Sequence, residues 1–169
     1  MFIGKRAVVI GAGIGGLAAA QALAGKFEKI VVLERDVLPL QPEARAGVPQ
    51  GRHAHALLPG GAAALDVLFG NCSAALVEAG AKRSDLGMRL VYEVGGRAMP
   101  QRELGTPLIK CSRPLVEAVV RGVVQQRNDI AILDGRRVTG IVATPDGSAV
   151  SAVACEARDG MQERYEADL

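Results

Sequence analysis

The chain has 169 residues, 49% of them hydrophobic, and a formal charge of +2 with acids and bases interspersed. That composition provides for one domain with a sizeable core and excludes a disordered chain or an acidic tail. Aromatic residues make up 3% with no Trp, so both the basic face and the stacking platforms of a nucleic-acid binder are missing.

Lys5-Arg6 precedes an uncharged run, Ala7 to Gly25, that imitates a signal peptide or a membrane span. Its glycines make a poor membrane helix, and a β-α-β unit uses the run completely, so no membrane span is expected. Ala7 to Ile10 reads as a buried parallel strand, and Gly11-Ala12-Gly13-Ile14-Gly15-Gly16 follows it in the pattern G-x-G-x-x-G. From Gly13 to Ala24 the chain is helix-forming, with Ile14, Leu17, Ala18, Gln21 and Ala22 at helical spacing and Gly25 as the stop. A second strand, Lys29 to Leu33, delivers Glu34 to its carboxyl end.

This arrangement is the fingerprint of a dinucleotide site. Gly11 permits the tight turn, Gly13 lets a pyrophosphate touch the backbone, and Gly16 lets helix and strand pack closely. The phosphates sit at the helix N-terminus, where N–H groups and the dipole face them. Glu34 accepts from both ribose hydroxyls of an adenosine and repels a 2′-phosphate, which argues against NADP at this site.

Next comes a long breaker-rich loop with Pro39, Pro42, Gly47, Pro49 and Gly51. Its basic stretch, Arg45 to His55, is placed to close over a cofactor. His53 and His55 have no Cys, Asp or Glu at ligand spacing, so no metal site is expected. Gly60 to Phe69 and Ser73 to Ala79 read as short helices, and Met88 to Val94, Gly95-Gly96 and Arg97 onward as a hairpin. Leu108 to Cys111 is a short strand, and Ser112 caps a helix from Arg113 or Pro114 to about Arg127. The last third reads as a lone strand, Ile130 to Leu133, then a three-stranded meander: Val138 to Ala143, Ala149 to Ala157 and Met161 to Ala167. Cys72, Cys111 and Cys155, odd in number and without C-x-x-C, fit reduced thiols in a cytoplasm. No nucleophilic serine motif and no catalytic carboxylate pair stand out.

In this order of elements the chain resembles the flavoprotein monooxygenases of the aromatic-hydroxylase type. GAGIGGLAAAQAL with VVLERD resembles their FAD-binding β-α-β unit, ARAGVPQGRHAHALL a loop of one bacterial subgroup, and CSRPLVEAVV their R-x-x-L helix, with Val116 in place of Leu. The strand with Arg137-Val138 and the meander resemble their second nucleotide-contacting segment. The resemblance implies an α/β fold: a Rossmann-like FAD-binding unit on a parallel sheet, a three-stranded meander, and a hairpin from an incomplete substrate domain. It implies that Gly11, Gly13, Gly15 and Gly16 approach the FAD pyrophosphate and that Glu34 binds the ribose. Arg35 would lie beside the adenine, Arg45 and Arg113 would contact the pyrophosphate or ribityl region, and the Val138 backbone would meet the adenine.

The expectation is therefore that residues 1–169 are the N-terminal part of an FAD/NAD(P)-binding domain, with 87–101 belonging to a substrate-binding sheet and the rest of a larger enzyme absent. The chain stops at Ala167-Asp168-Leu169, where the family continues into a strand, a D-A-x-G turn and a later Gly-Asp motif. Its function would be NAD(P)H-driven hydroxylation or epoxidation of a small organic substrate, with the fragment inactive alone. Two alternatives stand beside it. One is the NAD-binding domain of a dehydrogenase, and the other a non-catalytic module that self-associates through an unfinished sheet.

Overall fold

The structure, a computed structural model, describes residues 1–168. In chain order it forms β1 (Gly4–Ile10), α1 (Ile14–Leu23), β2 (Phe27–Leu33), β3 (Ala54–Leu57), α2 (Pro59–Phe69), α3 (Cys72–Glu78), β4 (Lys82–Asp85) and α4 (Leu86–Arg89). Then come β5 (Glu93–Val94), β6 (Arg97–Ala98), β7 (Pro107–Ser112), α5 (Arg113–Gln125), β8 (Ile130–Leu133), β9 (Arg136–Ala143), β10 (Val150–Ala157) and β11 (Gln162–Glu166).

The organising sheet is parallel, in the order β1-β2-β8, with Val9 opposite Val32 and Val32 opposite Ile132. Side chains alternate across it. Ala7, Val9, Ile30 and Val32 face α1 and α5, where Leu17, Val120 and Val124 complete the main core. Val8, Val31 and Leu33 point the other way and meet Val153 and Cys155 of the meander, an antiparallel sheet in the order β11-β10-β9. Apolar residues on both faces explain why β1 and β2 read as continuous hydrophobic runs.

The structure departs from the sequence reading in the middle of the chain. The loop after Glu34 contains a 3-10 turn, Pro49–Arg52, and the strand β3. With β4, β3 flanks β7 in an antiparallel sheet, with His55 opposite Cys111 and Lys82 opposite Lys110. The expected strand from Met88 to Val94 is replaced by the helical turn α4, started by Asp85, whose carboxylate accepts from the Gly87 N–H at 2.8 Å. The hairpin shrinks to β5 and β6 around Gly95 and Gly96, whose positive φ values of 58° and 75° are those of a two-residue hairpin turn. It stands as its own two-stranded ribbon among the described residues. Helix α5 is capped by the Ser112 hydroxyl, which accepts from Leu115 N–H at 3.2 Å. It ends at Gln125, short of Arg127, because Arg127 turns away to grip Asp129 through two hydrogen bonds of 2.8 and 2.9 Å.

Among the described residues no single helix is long and apolar enough to cross a membrane. The pair α2 and α3 passes that test only jointly, across a bend of 103°.

Candidate cofactor site

The carboxyl ends of β1 and β2, the loop after β2, the start of α5 and the start of β9 enclose one cleft of about 420 Å³. Its floor is the glycine turn. Gly11 has φ +95°, and its N–H donates to the Leu33 carbonyl at 2.7 Å, tying the turn to β2. A Cβ at Gly16 would lie 1.8 Å from the Gly11 carbonyl oxygen, so only glycine lets α1 start this close to the turn. Gly13 is the N-cap of α1 without a side-chain cap, and no acid occupies the first turn. A Cβ there would meet a single neighbour within 4 Å, an Arg45 nitrogen at 3.9 Å. The helix N-terminus thus faces open space with unclaimed N–H groups.

Glu34 lies at the end of β2 and is only 4% exposed. Its carboxylate accepts from the N–H groups of Ala12 (2.8 Å) and Asp36 (3.0 Å), so it braces the glycine turn as well as lining the cleft. Arg45, on the breaker-rich loop, is held inward with a side chain 7% exposed. Its Nε donates to Glu117 at 2.6 Å, and one terminal nitrogen meets Asp36 at 2.8 Å and Glu34 at 3.1 Å. The other terminal nitrogen is the one that approaches Gly13. Burial works against the charge of Arg45, but the hydrogen bonds to Glu117 and Asp36 and the nearby carboxylates outweigh it and hold the guanidinium above its ordinary range. For Asp36, burial is likewise outweighed by hydrogen bonds from Arg45 and the Gly47 N–H, and its carboxyl sits below the usual aspartate value.

Arg113 opens α5 beside the cleft, and its Nε is buried without a hydrogen-bond partner. Arg35 lines the outer rim with a side chain 64% exposed. Val138, Arg136 and Arg137 form the opposite wall. They are brought there because Arg136 N–H donates to the Glu34 carbonyl at 2.8 Å and Gly135 N–H to that of Asp36 at 3.1 Å. Arg136 and Arg137 are paired with Glu163 and Glu156.

The structure therefore gathers Gly11, Gly13, Glu34, Arg35, Arg45, Arg113 and Val138 around one space. Gly15 and Gly16 support it from within α1 and do not line it. Sequence reasoning missed Asp36 and Glu117, the anchors of Arg45. Their signal was weak: one carboxylate two residues after Glu34, and one a helical turn after Arg113. His53 and His55 lie outside the cleft, where His55 Nδ1 is 2.7 Å from the His53 carbonyl. No cluster of metal-ligating groups occurs among the described residues. All three cysteines are thiols. Burial, helped by Asp66 and Cys111, pushes Cys72 up to about 11, and burial raises Cys111 and Cys155 too, so none is poised as a nucleophile.

An open helix N-terminus, a bare glycine, a partnerless Arg113 Nε and a buried carboxylate at the end of the second strand suit a dinucleotide: pyrophosphate at one end, adenosine beyond.

No protein-family model matches the chain. It is 37% identical over 132 residues to protein Rv3254 of Mycobacterium tuberculosis, covering 75% of this chain and 28% of that protein. Among solved structures it is similar to the myxobacterial FAD-dependent chondrochloren halogenase CndH, at 16% identity and a TM-score of 0.69, over 97% of this chain and 36% of that one. It is similar to the p-nitrophenol 4-monooxygenase PnpA of Pseudomonas putida DLL-E4 at 21% identity and a TM-score of 0.65, covering 96% and 39%. A third similar structure is aklavinone-11 hydroxylase in complex with FAD and aklavinone, at 22% identity and a TM-score of 0.62, covering 99% and 32%. The chain spans about 28% of its curated relative and two fifths or less of these solved structures. Its fold is that of FAD-dependent monooxygenases and halogenases, in the part that unites the β-α-β unit with the meander.

Proposed function

We propose that this chain is the FAD-binding portion of a flavin-dependent monooxygenase that uses NAD(P)H as reductant. The observation that carries the reading is the convergence on one cleft of the glycine turn, Glu34, Arg45, Arg113 and the Val138 wall. A plain nicotinamide domain would repeat β-α-β, whereas here the wall comes from an antiparallel meander joined to the end of β2.

In this reading Gly11 and Gly13 admit the pyrophosphate to the backbone at the start of α1, and the unpaired nitrogens of Arg45 and Arg113 neutralise it. Glu34 orients the ribose, and Arg35 and Val138 flank the adenine. Bound there, FAD would supply the redox chemistry for NAD(P)H-driven transfer of one oxygen atom of O₂ to a small organic substrate, the other oxygen leaving as water. The protein's part is to hold the cofactor and exclude water. The ribbon of β5 and β6 would belong to the substrate side of the whole enzyme.

The test is the visible spectrum of the purified chain after incubation with FAD and removal of unbound ligand. Retained flavin bands, lost in Arg113→Ala, are expected. A colourless protein that instead retains NADH would overturn the reading in favour of a nicotinamide domain.

A further inference from the structure

A second hollow, of about 240 Å³, lies between the loop after β2, α5 and the carboxyl end of β8. It shares no lining residue with the cofactor cleft. Its wall carries Pro39, Arg121, Gln125 and Asp134.

Arg121 is the unusual member. It is 6% exposed, yet no carboxylate lies within ion-pair distance of it among the described residues. Its one hydrogen bond goes from a terminal nitrogen to the Pro39 carbonyl, at 2.5 Å. The Nε and the other terminal nitrogen have no protein acceptor among the described residues. Glu117, one turn earlier on α5, is already engaged by Arg45 at 2.6 Å. Burial accordingly lowers the Arg121 guanidinium from its ordinary range. Glu117 and Asp134 pull the other way, and Arg45 adds to the lowering. A buried cation without a hydrogen-bonded anion is an expensive arrangement unless something enters to pair with it.

The wall also says what that would be. Asp134 accepts from the Leu38 N–H through Oδ2 at 2.8 Å, which leaves Oδ1 as an acceptor. A ligand must therefore bring anionic oxygens for a planar guanidinium fork and one hydroxyl donor for a carboxylate. A monoprotonated phosphate group has both, whereas sulfate has no proton to give. The hollow also lies at the carboxyl end of a parallel strand, where open α/β sheets hold their ligands.

We propose that this hollow is a second binding site, for a monoprotonated phosphate group, with its oxygens on Arg121 and its hydroxyl donating to Asp134. The site does not depend on the flavin reading. It is tested on the full chain by following the Arg121 Nε–Hε resonance while adding inorganic phosphate, glycerol phosphate or sulfate. Phosphate should shift the resonance saturably, and sulfate should bind at least about tenfold more weakly, the worth of a charge-assisted hydrogen bond. Saturation by glycerol phosphate as well would assign the site to phosphate monoesters, and saturation by inorganic phosphate alone to the free ion. Asp134→Asn should narrow the preference over sulfate, and Arg121→Met should remove one phosphate-binding event from a calorimetric titration. A resonance that phosphate leaves unmoved, or sulfate binding equal to phosphate in the wild-type chain, would overturn the proposal even where Arg121→Met fails to fold.

Discussion

The glycines of the turn look alike in sequence, and their surroundings separate them. Gly16→Ala drives a methyl to 1.8 Å from the Gly11 carbonyl, so the start of α1 must shift, at about 1–3 kcal/mol, the usual cost of overpacking. Gly15→Ala meets nothing within 4 Å inside a helix and should gain about 0.5–1 kcal/mol from lower unfolded-state entropy. Gly13→Ala has normal space and a negative φ of −72°. If the cleft holds FAD as proposed, it should fold like the wild type while losing FAD, because its methyl would occupy the pyrophosphate seat. Thermal melts paired with flavin retention distinguish the three outcomes. Arg45 shows a different lesson. That its basic loop lies beside the glycine turn was legible, but its anchors Asp36 and Glu117 were not, since Glu117 is distant in sequence and Asp36 looks like an ordinary loop acid. The lowered Asp36 carboxyl contributes stability that is present above the ordinary value of 3.8 and is lost as pH falls through its lower folded value. Asp36→Asn should therefore cost about 1–3 kcal/mol at neutral pH and flatten the acid limb below pH 3.8 in urea melts taken across pH. An unchanged acid limb would mean that Asp36 does not anchor the loop.

At the scale of elements, the parts legible in the sequence are those stabilised locally or buried on both faces. β1, α1 and β2 carry continuous apolar runs, helical spacing and a glycine stop, and they form where they were read, with β1 and β2 starting earlier, at Gly4 and Phe27. The meander was legible because two turns, at Asp146-Gly147 and Asp159-Gly160, punctuate it, and both glycines have positive φ. β3 and β4 were invisible. β4 reads Lys-Arg-Ser-Asp, with no alternating apolar signal, and it is a strand only because β7 pairs with it. The false strand at Met88 fails for a related reason. Asp85 collects the N–H groups of Gly87 (2.8 Å), Leu104 (3.1 Å) and Thr106 (3.0 Å), and this clamp bends the chain into α4. Asp85→Ala should release the segment 101–106 without unfolding the molecule. Hydrogen exchange should accelerate at Leu104 and Thr106 while β1 and β2 stay protected; equal protection in the variant would show that the clamp is not what orders the loop.

At the scale of the whole molecule, the parallel sheet is covered on one face by α1 and α5 and on the other by the meander, and the cleft opens where the loops from both sides meet. Among the described residues β1 is an edge strand of that sheet. β2 lies against one side of β1; on the other side, Asp168 donates its N–H to the Arg6 carbonyl and accepts from the N–H groups of Lys5 and Arg6 through its carboxylate, and the Arg6 side chain pairs with Glu166. Beside that edge is an apolar hollow of about 380 Å³ between Val8, Ile10, Ile141 and Val150. Ile141 is 65% exposed on β9. Beyond those hydrogen bonds, a strand edge next to exposed aliphatic side chains is a template for another strand. The chain studied alone should accordingly show a molecular mass that rises with concentration in light scattering. Ile141→Asp should shift it toward monomer, because the new carboxylate would be desolvated by any strand that docks there. Ile141 does not line the cofactor cleft, so flavin retention in that variant should match the wild type. A wild-type chain that stays monomeric at every concentration would remove self-association through this edge.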